Sequence, residues 1–373
     1  MNYLYENKII PIELNDYIQR TPILHRYFEQ CFNGIKIKNY CGFLYINNQA
    51  YFIIPKIVDT TTQNLNIFIY MLSYSYDINL KNETISSSKT EKNQLFEIFI
   101  KLFSDGLLEQ LKKGIFKTYI TQEKNLKVLR GKYVVEKNFS NFYHQNIYCE
   151  FDEFSMDNEL NRFFFYAIKT FQKFSSYKNL YRCEAILDEV QNIHFDIKNL
   201  TIDFNRLNTR YEQSYKITLM LLKKLIPLAE TSKEQSFAFL FDMAEVFEKF
   251  VGKLYIEIDS STQLQHSKKF GNLYLKPDII TSTIIIDTKY KKIDSRSDLS
   301  VQDKYQMFTY GINFQKKNTM LLYPKYLFDI DEQLRLGEGD NLIKLQMKSL
   351  DLEFDGGYSD FIREMKKRTE RII

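Results

Sequence analysis

The sequence predicts an α/β (α+β) protein with a β-rich amino-terminal domain, a helical middle and a carboxy-terminal domain built around a β-hairpin. Short runs of aromatic and β-branched residues dominate up to about residue 85, which is typical of strands. Apolar residues then recur at helical spacing, and later two apolar runs flank a polar turn near residue 282. The chain has 373 residues, of which 44% are hydrophobic. Because single cores stop growing at about 250–300 residues, more than one substructure is expected.

The amino-terminal segment has the pattern of a compact β-domain. Ile35–Lys38 alternates apolar and basic residues, and Gly42–Ile46 and Ala50–Ile54 are short apolar runs. Asn47-Asn48 lies between these two runs and is interpreted as a turn. We predict a β-rich domain over residues 1–150, which also contains a helix.

Helical periodicity marks much of the remaining chain. Apolar residues three and four positions apart predict helices over Glu91–Lys113, Asn158–Lys173, Arg182–Gln191, Leu207–Leu228 and Glu234–Tyr255. Leu129–Val135 is interpreted as a strand, and Glu150–Glu159 as an acidic surface patch or the lead-in to a helix. We therefore place a helical connecting region at residues 151–230 and a further domain at 231–373.

The residues that carry chemistry lie in LYLKPDIITSTIIIDTKYKK, residues 273–292. If Ser282 and Thr283 form the loop of a hairpin, Asp278 lies across from Asp287, with Cβ atoms about 4.5–5.5 Å apart. The two-residue period of a strand places Lys289 on the same face as Asp287. Two adjacent carboxylates repel each other, and oxygen ligands suit Mg²⁺ or Mn²⁺, so we expect a divalent cation here. The alternative is a surface hairpin whose charged residues face solvent.

The positive charge of the chain is concentrated near this hairpin. The whole chain has a formal charge of +4, and residues 266–292 contain six lysines and two acids. These two acids are the proposed metal ligands, so a bound cation would make the segment still more attractive to phosphate. The candidate DNA-binding residues are Lys268, Lys269, Lys276, Lys291 and Lys292.

Pro277-Asp278 and Asp287-Thr288-Lys289 resemble the PD-(D/E)xK nuclease motif. The resemblance implies a restriction-endonuclease-like domain at 231–373, in which Asp278, Asp287 and a helix glutamate bind Mg²⁺, with Mn²⁺ as a substitute. It also implies that Lys289 assists the attacking water.

Two neighbouring helices offer further residues for this motif. The segment Leu240–Val251 contains Glu245 and Glu248, which are three positions apart on one helix face. Glu248 fits the family position better, and both remain candidates for the helix ligand. Gln306 and Tyr310, on a helix predicted from Ser300 to Phe314, resemble the Q-x-x-x-Y helix of RecB-like nucleases. They are expected to support the site.

The segments LFDMAEVFEKFV, PD…DTKYK and DKYQMFTY, in this order, resemble McrC, the nuclease subunit of the McrBC 5-methylcytosine-dependent restriction system. The amino-terminal segments IIPKI, YML and LRGK, the last containing Arg130 and Lys132, agree with that resemblance. It implies a type IV, Mg-dependent endonuclease that cleaves double-stranded, methylated DNA. It also implies an McrB-like AAA+ GTPase hexamer as partner, whose GTP hydrolysis this chain stimulates, with residues 1–150 as the docking domain and Arg130 and Lys132 as contacts.

Two other functions stay open: a stand-alone RecB-like DNA nuclease, and an adaptor that activates an AAA+ NTPase. The sequence contains no G-x-x-x-x-G-K-[ST] motif, so we expect this chain to bind no nucleotide. It has four scattered cysteines, no signal-peptide pattern and no apolar run of membrane-spanning length. These features predict a cytoplasmic protein without a membrane partner.

Overall fold

The computed structural model describes residues 2–46, 49–55, 57, 61–78, 80, 95–141, 145–228, 236–291, 299–326 and 329–372. The chain divides into two compact units: unit 1 comprises Met1–Leu95 and Lys224–Ile373, and unit 2 comprises Phe96–Lys223. This division differs from the three predicted segments, because amino-terminal strands share a sheet with a strand after residue 236. The expected Asn47-Asn48 turn and Lys292 lie outside the described residues.

The helices in the described part of the chain are α1 (Asn15–Arg20), α2 (Thr61–Ser75), α3 (Leu95–Lys112), α4 (Val135–Phe139), α5 (Glu159–Phe171), α6 (Lys178–Ile186), α7 (Glu212–Lys224), α8 (Met243–Ile258), α9 (Val301–Asn313) and α10 (Tyr358–Ile372). The strands there are β1 (Asn2–Tyr5), β2 (Phe28–Cys31), β3 (Gly34–Ile37), β4 (Tyr40–Ile46), β5 (Gln49–Ile54), β6 (Thr118–Leu126), β7 (Lys132–Tyr133), β8 (Ile147–Ser155), β9 (Leu225–Pro227), β10 (Phe237–Asp242), β11 (Gln263–Leu264), β12 (Lys268–Phe270), β13 (Leu273–Leu275), β14 (Ile279–Ile280), β15 (Ile284–Thr288), β16 (Asn318–Pro324), β17 (Asp331–Leu336) and β18 (Ile343–Leu350). The mixed α/β class is therefore confirmed. None of the described helices is both long and apolar enough to cross a membrane.

Unit 1 contains a five-stranded sheet with the order β1-β5-β4-β10-β9. The strands predicted around residues 35–54 are present as β3, β4 and β5. The helix predicted over Glu234–Tyr255 is wrong in its first part, because Phe237–Asp242 forms β10, antiparallel to β4. The run FAFLF is buried on both faces of the sheet, so it lacks the polar side that a surface helix needs. Helix α8 begins only at Met243, where Asp242 caps it by accepting a hydrogen bond from the Ala244 N–H at 2.9 Å.

A six-stranded sheet, also in unit 1, has the order β11-β14-β15-β16-β18-β17. Strands β15, β16 and β18 are parallel, and α9 follows β15 and precedes β16. Met307 and Tyr310 of α9 pack in one apolar cluster with Ile285 and Leu321 of the sheet. Helices α8 and α10 contact β15 and β18 respectively. Parallel strands covered by helices are apolar along their whole length, which accounts for the unbroken run Ile284–Ile286.

The predicted long hairpin is divided in the structure. Leu273–Leu275 forms β13, which pairs with β12 in a separate two-stranded ribbon instead of continuing into the hairpin with β15. Pro277 has no N–H to donate to a neighbouring strand, and β14 begins only at Ile279. The hairpin that carries the motif is therefore the short pair β14 and β15.

Unit 2 combines the three-stranded sheet β6-β8-β7 with helices that include α5. The segment interpreted as an acidic patch or helix lead-in is mostly strand β8, and the predicted strand Leu129–Val135 is reduced to β7. Cys149 and Phe151 of β8 are buried, whereas the acidic Glu150 between them lies 3.8 Å from Lys132 Nζ of β7. An acidic sequence thus forms a strand because alternate residues are buried and the acids face lysines.

The predicted helices of the middle region are present with shorter or shifted bounds. Helix α5 lies within the predicted range and is capped by Asn158, whose side chain accepts a hydrogen bond from the Asn161 N–H at 3.1 Å. The helix predicted from Arg182 to Gln191 is instead α6, and the one predicted from Leu207 to Leu228 is α7. Helix α7 ends before Pro227, which belongs to β9.

Candidate active site

The β14–β15 hairpin has the register predicted for it. Ile279 pairs with Ile286 and Ile280 with Ile285, and the Thr281 N–H donates to the Ile284 carbonyl at 3.0 Å across the turn. Asp278 directly precedes β14 and Asp287 directly follows Ile286 in β15, so the register continues toward these two acids, whose charges interact. The hairpin therefore places two acidic residues side by side at the end of a buried strand pair.

Asp287 is the most buried of these acidic groups, with 2% of its surface exposed. Its Oδ1 accepts a hydrogen bond from Gln306 Nε2 at 3.2 Å. Its Oδ2 is buried and accepts no well-aligned hydrogen bond among the described residues, although Lys289 Nζ lies 2.6 Å away as an ion-pair partner. Burial, followed by the nearby Asp278 carboxylate, raises the pKa of Asp287 to about 6.

Lys289 and Asp287 share Gln306 as a partner, as expected for residues on one strand face. Lys289 Nζ donates to Gln306 Oε1 at 3.0 Å, and Gln306 Nε2 also donates to the Tyr310 hydroxyl at 3.0 Å. Burial alone would lower the pKa of the Lys289 ammonium, but the acids around it, Asp287 first, outweigh burial and raise that pKa. The structure thus brings Gln306 and Tyr310 of α9 to the hairpin.

Asp278 is held by several hydrogen bonds. Its Oδ2 accepts from the N–H of Thr288 at 2.8 Å and from the Thr288 hydroxyl at 2.9 Å. Its Oδ1 lies 3.3 Å from Gln265 Nε2, which also donates to the Glu248 carboxylate of α8. Burial, together with the charge of Asp278, raises the pKa of Glu248 to about 7.

The two candidate glutamates of α8 have different surroundings. Glu245 forms ion pairs with Lys224 at 3.0 Å and with Lys249 at 2.6 Å. Burial opposes these two ammonium groups, but they outweigh it and lower the pKa of Glu245. The structure therefore brings Glu248, and not Glu245, to the residues around Asp278.

The predicted DNA-binding lysines flank this site in the described chain. Lys268 and Lys269 lie on the exposed β12–β13 ribbon, where their ammonium groups stand over the rings of Phe270 at 5.1 Å and Tyr274 at 5.3 Å. Lys276 is exposed between that ribbon and Pro277, and its carbonyl accepts from the Tyr310 hydroxyl at 3.3 Å. Lys291 is paired with Asp303 of α9.

Arg130 and Lys132, the predicted partner contacts, belong to unit 2 beside β8. The Arg130 guanidinium stands 4.1 Å from the centre of the Phe151 ring and 3.9 Å from the Glu153 carboxylate. Gly131 between them has a φ of +70°, and a Cβ there would lie 2.3 Å from the Glu150 carbonyl oxygen. The R-G-K sequence therefore needs glycine so that its backbone can pass close to β8.

Three residues at the site, Asp303, Thr288 and Gln265, are not among those predicted from the sequence. Asp303 follows the α9 cap Ser300 by three positions, and the pattern S-x-x-D before an apolar helix was a usable local signal. Thr288 lies inside the D-x-K motif, where its role as a donor to Asp278 follows from the hairpin register. Gln265 has no local signal, since its position depends on the pairing of β11 with β14.

The carboxylate oxygens of the site suit a hard divalent cation, but in the described residues they do not form a complete set of ligands. Carboxylate oxygens are the preferred ligands of Mg²⁺, and Asp287 Oδ2 is a buried oxygen without a well-aligned donor among the described residues. In the described part of the chain, no three His, Cys, Asp or Glu side chains lie close enough together to form a complete metal-binding group. Because Mg²⁺ commonly keeps several waters and binds one or two carboxylates, a set centred on Asp278 and Asp287 still fits the ion.

These features define a class: a mixed α/β protein with two acids and a lysine at the end of a central strand pair, supported by a polar helix. A family model described as "McrBC 5-methylcytosine restriction system component" matches residues 35–324. The chain belongs to this family, which confirms the resemblance found in its motifs. No curated protein sequence matches the chain.

Two solved structures from Thermococcus gammatolerans are similar in fold. One is a refined half-complex from a tetradecameric assembly of McrB AAA+ hexamers with bound McrC; the match has a TM-score of 0.68 and 19% identity, and it covers 100% of this chain and 99% of that chain. The other is a cryo-EM structure of the McrBC complex, with a TM-score of 0.52, 21% identity, and coverage of 68% of this chain and 87% of that chain. At these identities the similarity concerns the fold.

Proposed function

We propose that this chain is the endonuclease subunit of a modification-dependent restriction system and hydrolyses phosphodiester bonds of double-stranded, methylated DNA with Mg²⁺. The observation that carries the proposal is the shared strand face of Asp287 and Lys289 next to Asp278. Family membership supports the restriction role. Mn²⁺ is expected to replace Mg²⁺, since both ions take oxygen ligands.

Each side chain has a role that its surroundings support. Asp278 and Asp287 would hold the metal ion, with Glu248 as the third acid, and a bound ion supplies positive charge to the phosphate in the transition state. Lys289, 2.6 Å from Asp287, would orient the attacking water or neutralise developing charge. Gln306 fixes both Asp287 and Lys289 through hydrogen bonds, and Tyr310 fixes Gln306. Glu245, paired with two lysines, would stabilise α8 rather than bind metal.

We further propose that the chain acts with an McrB-like AAA+ GTPase hexamer, which binds the nucleotide and whose hydrolysis this chain stimulates. The proposal draws on the family and on the fold shared with structures that contain McrB hexamers and McrC. Unit 2 offers a surface for such a partner, because Tyr119, Val128, Leu129, Phe139 and Phe154 are exposed large apolar residues in that unit. Arg130 and Lys132 lie in the same unit and would contribute charged contacts.

The decisive experiment is DNA cleavage by the chain reconstituted with its AAA+ partner, GTP and Mg²⁺ on methylated DNA. We expect Asp287→Asn and Lys289→Gln to lower the cleavage rate by more than about 100-fold, the range seen when a catalytic proton-transfer or charge-stabilising group is removed. Glu338→Gln, at an exposed position on a turn, is the control and should cleave at the wild-type rate. Undiminished cleavage by Asp287→Asn would refute the assigned site.

The same assay separates the two alternative functions. Cleavage by the purified chain with Mg²⁺ but without partner or GTP would favour a stand-alone RecB-like nuclease. Stimulated GTP hydrolysis without any DNA cleavage by the wild type would favour an adaptor.

A further inference from the structure

Gln265 occupies a central place beside the acidic residues of the site. It follows β11, and its backbone N–H donates to the Asp278 carbonyl at 2.8 Å, which continues the pairing of Leu264 with Ile279. Gln265, Asp278 and Asp287 therefore lie side by side on three neighbouring chain segments. The backbone of Gln265 has a φ of +50°, a left-handed conformation that costs a non-glycine residue free energy. Such a conformation persists when surrounding contacts hold it, and it directs this side chain into the site.

The side-chain amide of Gln265 bridges two carboxylates. Its Nε2 donates to Glu248 and lies 3.3 Å from Asp278 Oδ1. An amide NH₂ group has two hydrogens, so one nitrogen can face both acids. The amide nitrogen therefore lies within hydrogen-bond distance of two acidic groups and offers them only a partial positive charge.

We propose that the Gln265 amide occupies the position of the metal ion between Glu248 and Asp278, and turns out of that position before the ion binds. The proposal rests on the metal-dependent function proposed above. Only molecules in which this amide has turned away can bind the metal ion. The apparent metal affinity is therefore lower than that of a permanently open site, in proportion to the fraction of molecules in the open state. Gln265 is in this sense a positioning residue that sets the metal affinity of the site.

The test is Mn²⁺ binding to the full-length chain, measured as the loss of the paramagnetic resonance signal of free Mn²⁺. Gln265→Ala removes the competing amide, and we expect Mn²⁺ to bind about tenfold more tightly, which corresponds to about 1.4 kcal/mol. Gln265→Asn is the second variant. Asparagine tolerates the left-handed conformation, but its amide is one methylene too short to bridge the acids, so binding should again be tighter. Gln263→Ala, an exposed glutamine two residues earlier, should bind as the wild type does.

Two controls separate this proposal from the metal site itself. Asp278→Ala should bind Mn²⁺ far more weakly than the wild type, which assigns the signal to this site. If the wild type binds Mn²⁺ and both Gln265 variants bind it equally or more weakly, the amide does not compete with the ion and the Gln265 proposal fails alone. If neither the wild type nor the variants bind Mn²⁺, the metal-dependent function fails with it. Should Gln265→Ala not fold, Gln265→Asn decides.

Discussion

Two glutamates one helical turn apart on α8 differ in the direction of their pKa shifts. Glu248 faces Asp278 in a half-buried position, and its pKa rises to about 7. Glu245 faces two lysines, and its pKa falls. The partners supplied by neighbouring elements therefore decide which glutamate is easily ionised, and the helix alone does not distinguish them.

This difference predicts that neutralising Glu248 and neutralising Glu245 change the pH dependence of the free energy of unfolding in different ways when no metal is bound. The folded chain holds the Glu248 proton up to about pH 7, whereas the unfolded chain releases it near the ordinary value of 4.5. The contribution of Glu248 to stability is therefore greatest below pH 4.5 and is lost as the pH rises through about 7. In EDTA, we expect Glu248→Gln to lose less stability than the wild type between pH 5 and pH 8, measured by urea unfolding.

Glu245→Gln is the matched variant for this comparison. The lowered pKa of Glu245 stabilises the fold above its ordinary range, and that contribution is lost only as the pH falls through the lowered value. Glu245→Gln should therefore reduce stability by a similar amount at pH 5 and pH 8. If the free energy of unfolding of Glu248→Gln falls between pH 5 and pH 8 as steeply as that of the wild type, Glu248 does not hold its proton in the folded chain.

At the residue scale, local rules predicted the arrangement of Asp278, Asp287 and Lys289. A two-residue loop fixed the register, and the strand period fixed the shared face. Gln265 was not predictable in this way, because its place beside the hairpin depends on the pairing of β11 with β14 across the intervening β12–β13 ribbon. The assignment of metal ligands and of the water-orienting lysine stays a prediction.

The β12–β13 ribbon is a small element with two distinct faces. Lys269 pairs with Tyr274 on one face, where Tyr274 is 71% exposed. On the other face, Phe270 meets the ring of Phe314 at 5.0 Å, next to α9. The ribbon is thus anchored to the helix that supports Asp287, while a lysine and a tyrosine remain available for a ligand.

We predict that this exposed face contacts DNA near the cleaved bond. Lys269→Ala should weaken DNA binding similarly for all sequences and lower the salt slope of log K by about one, because one phosphate contact is lost. Tyr274→Ala should weaken binding without changing the salt slope, since the ring carries no charge. DNA affinity at several salt concentrations, measured by fluorescence anisotropy, provides the check.

Lys344→Ala is the matched control for Lys269→Ala. Lys344 is exposed on β18 and is in register with Asn318 and Ile284, so it lies at the opposite end of the parallel strands from Asp287. An equal fall in affinity and salt slope for Lys344→Ala would indicate general attraction to DNA rather than binding at the ribbon.

At the element scale, periodicity predicted elements with one buried face better than elements buried on both. Helix α9, with Ser300 as its cap, agrees closely with the predicted range. Strand β10 is predicted as helix because an all-apolar run has no period to distinguish the two structures. Strand β8 is predicted as an acidic patch or helix lead-in because the lysines that pair with its acids lie on other strands, at distant positions in the sequence.

The residues proposed for metal binding and those proposed for partner contact lie in different compact units of the molecule. The candidate metal site lies in unit 1, and Arg130 lies in unit 2. We expect Arg130→Ala to lower the stimulation of GTP hydrolysis by the partner, while leaving Mn²⁺ binding to the isolated chain unchanged. Asp287→Asn should weaken Mn²⁺ binding and leave the stimulation of GTP hydrolysis unchanged. GTPase and Mn²⁺-binding measurements on both variants test this, and a joint loss of both functions in Arg130→Ala would contradict it.

Local sequence patterns do not predict that unit 1 is built from two separate segments of the chain. Its five-stranded sheet joins β4 to β10, and unit 2 is inserted in the chain between these two strands. Sequence periodicity describes what each strand buries but not which distant strand it pairs with. The predicted boundaries near residues 150 and 230 therefore follow the strand-like and helical patterns along the chain, whereas the two units follow strand pairing.

The interrupted chain of unit 1 also sets an order of events during synthesis. Strand β4 leaves the ribosome long before β10. The edge of β4 that pairs with β10 in the folded chain therefore stays unpaired while all of unit 2 is translated. Unit 2, which is continuous, can complete its fold during that interval. The nascent amino-terminal strands thus have an open edge that is prone to aggregation, and the fold of unit 1 is completed only when Lys224–Ile373 has been translated.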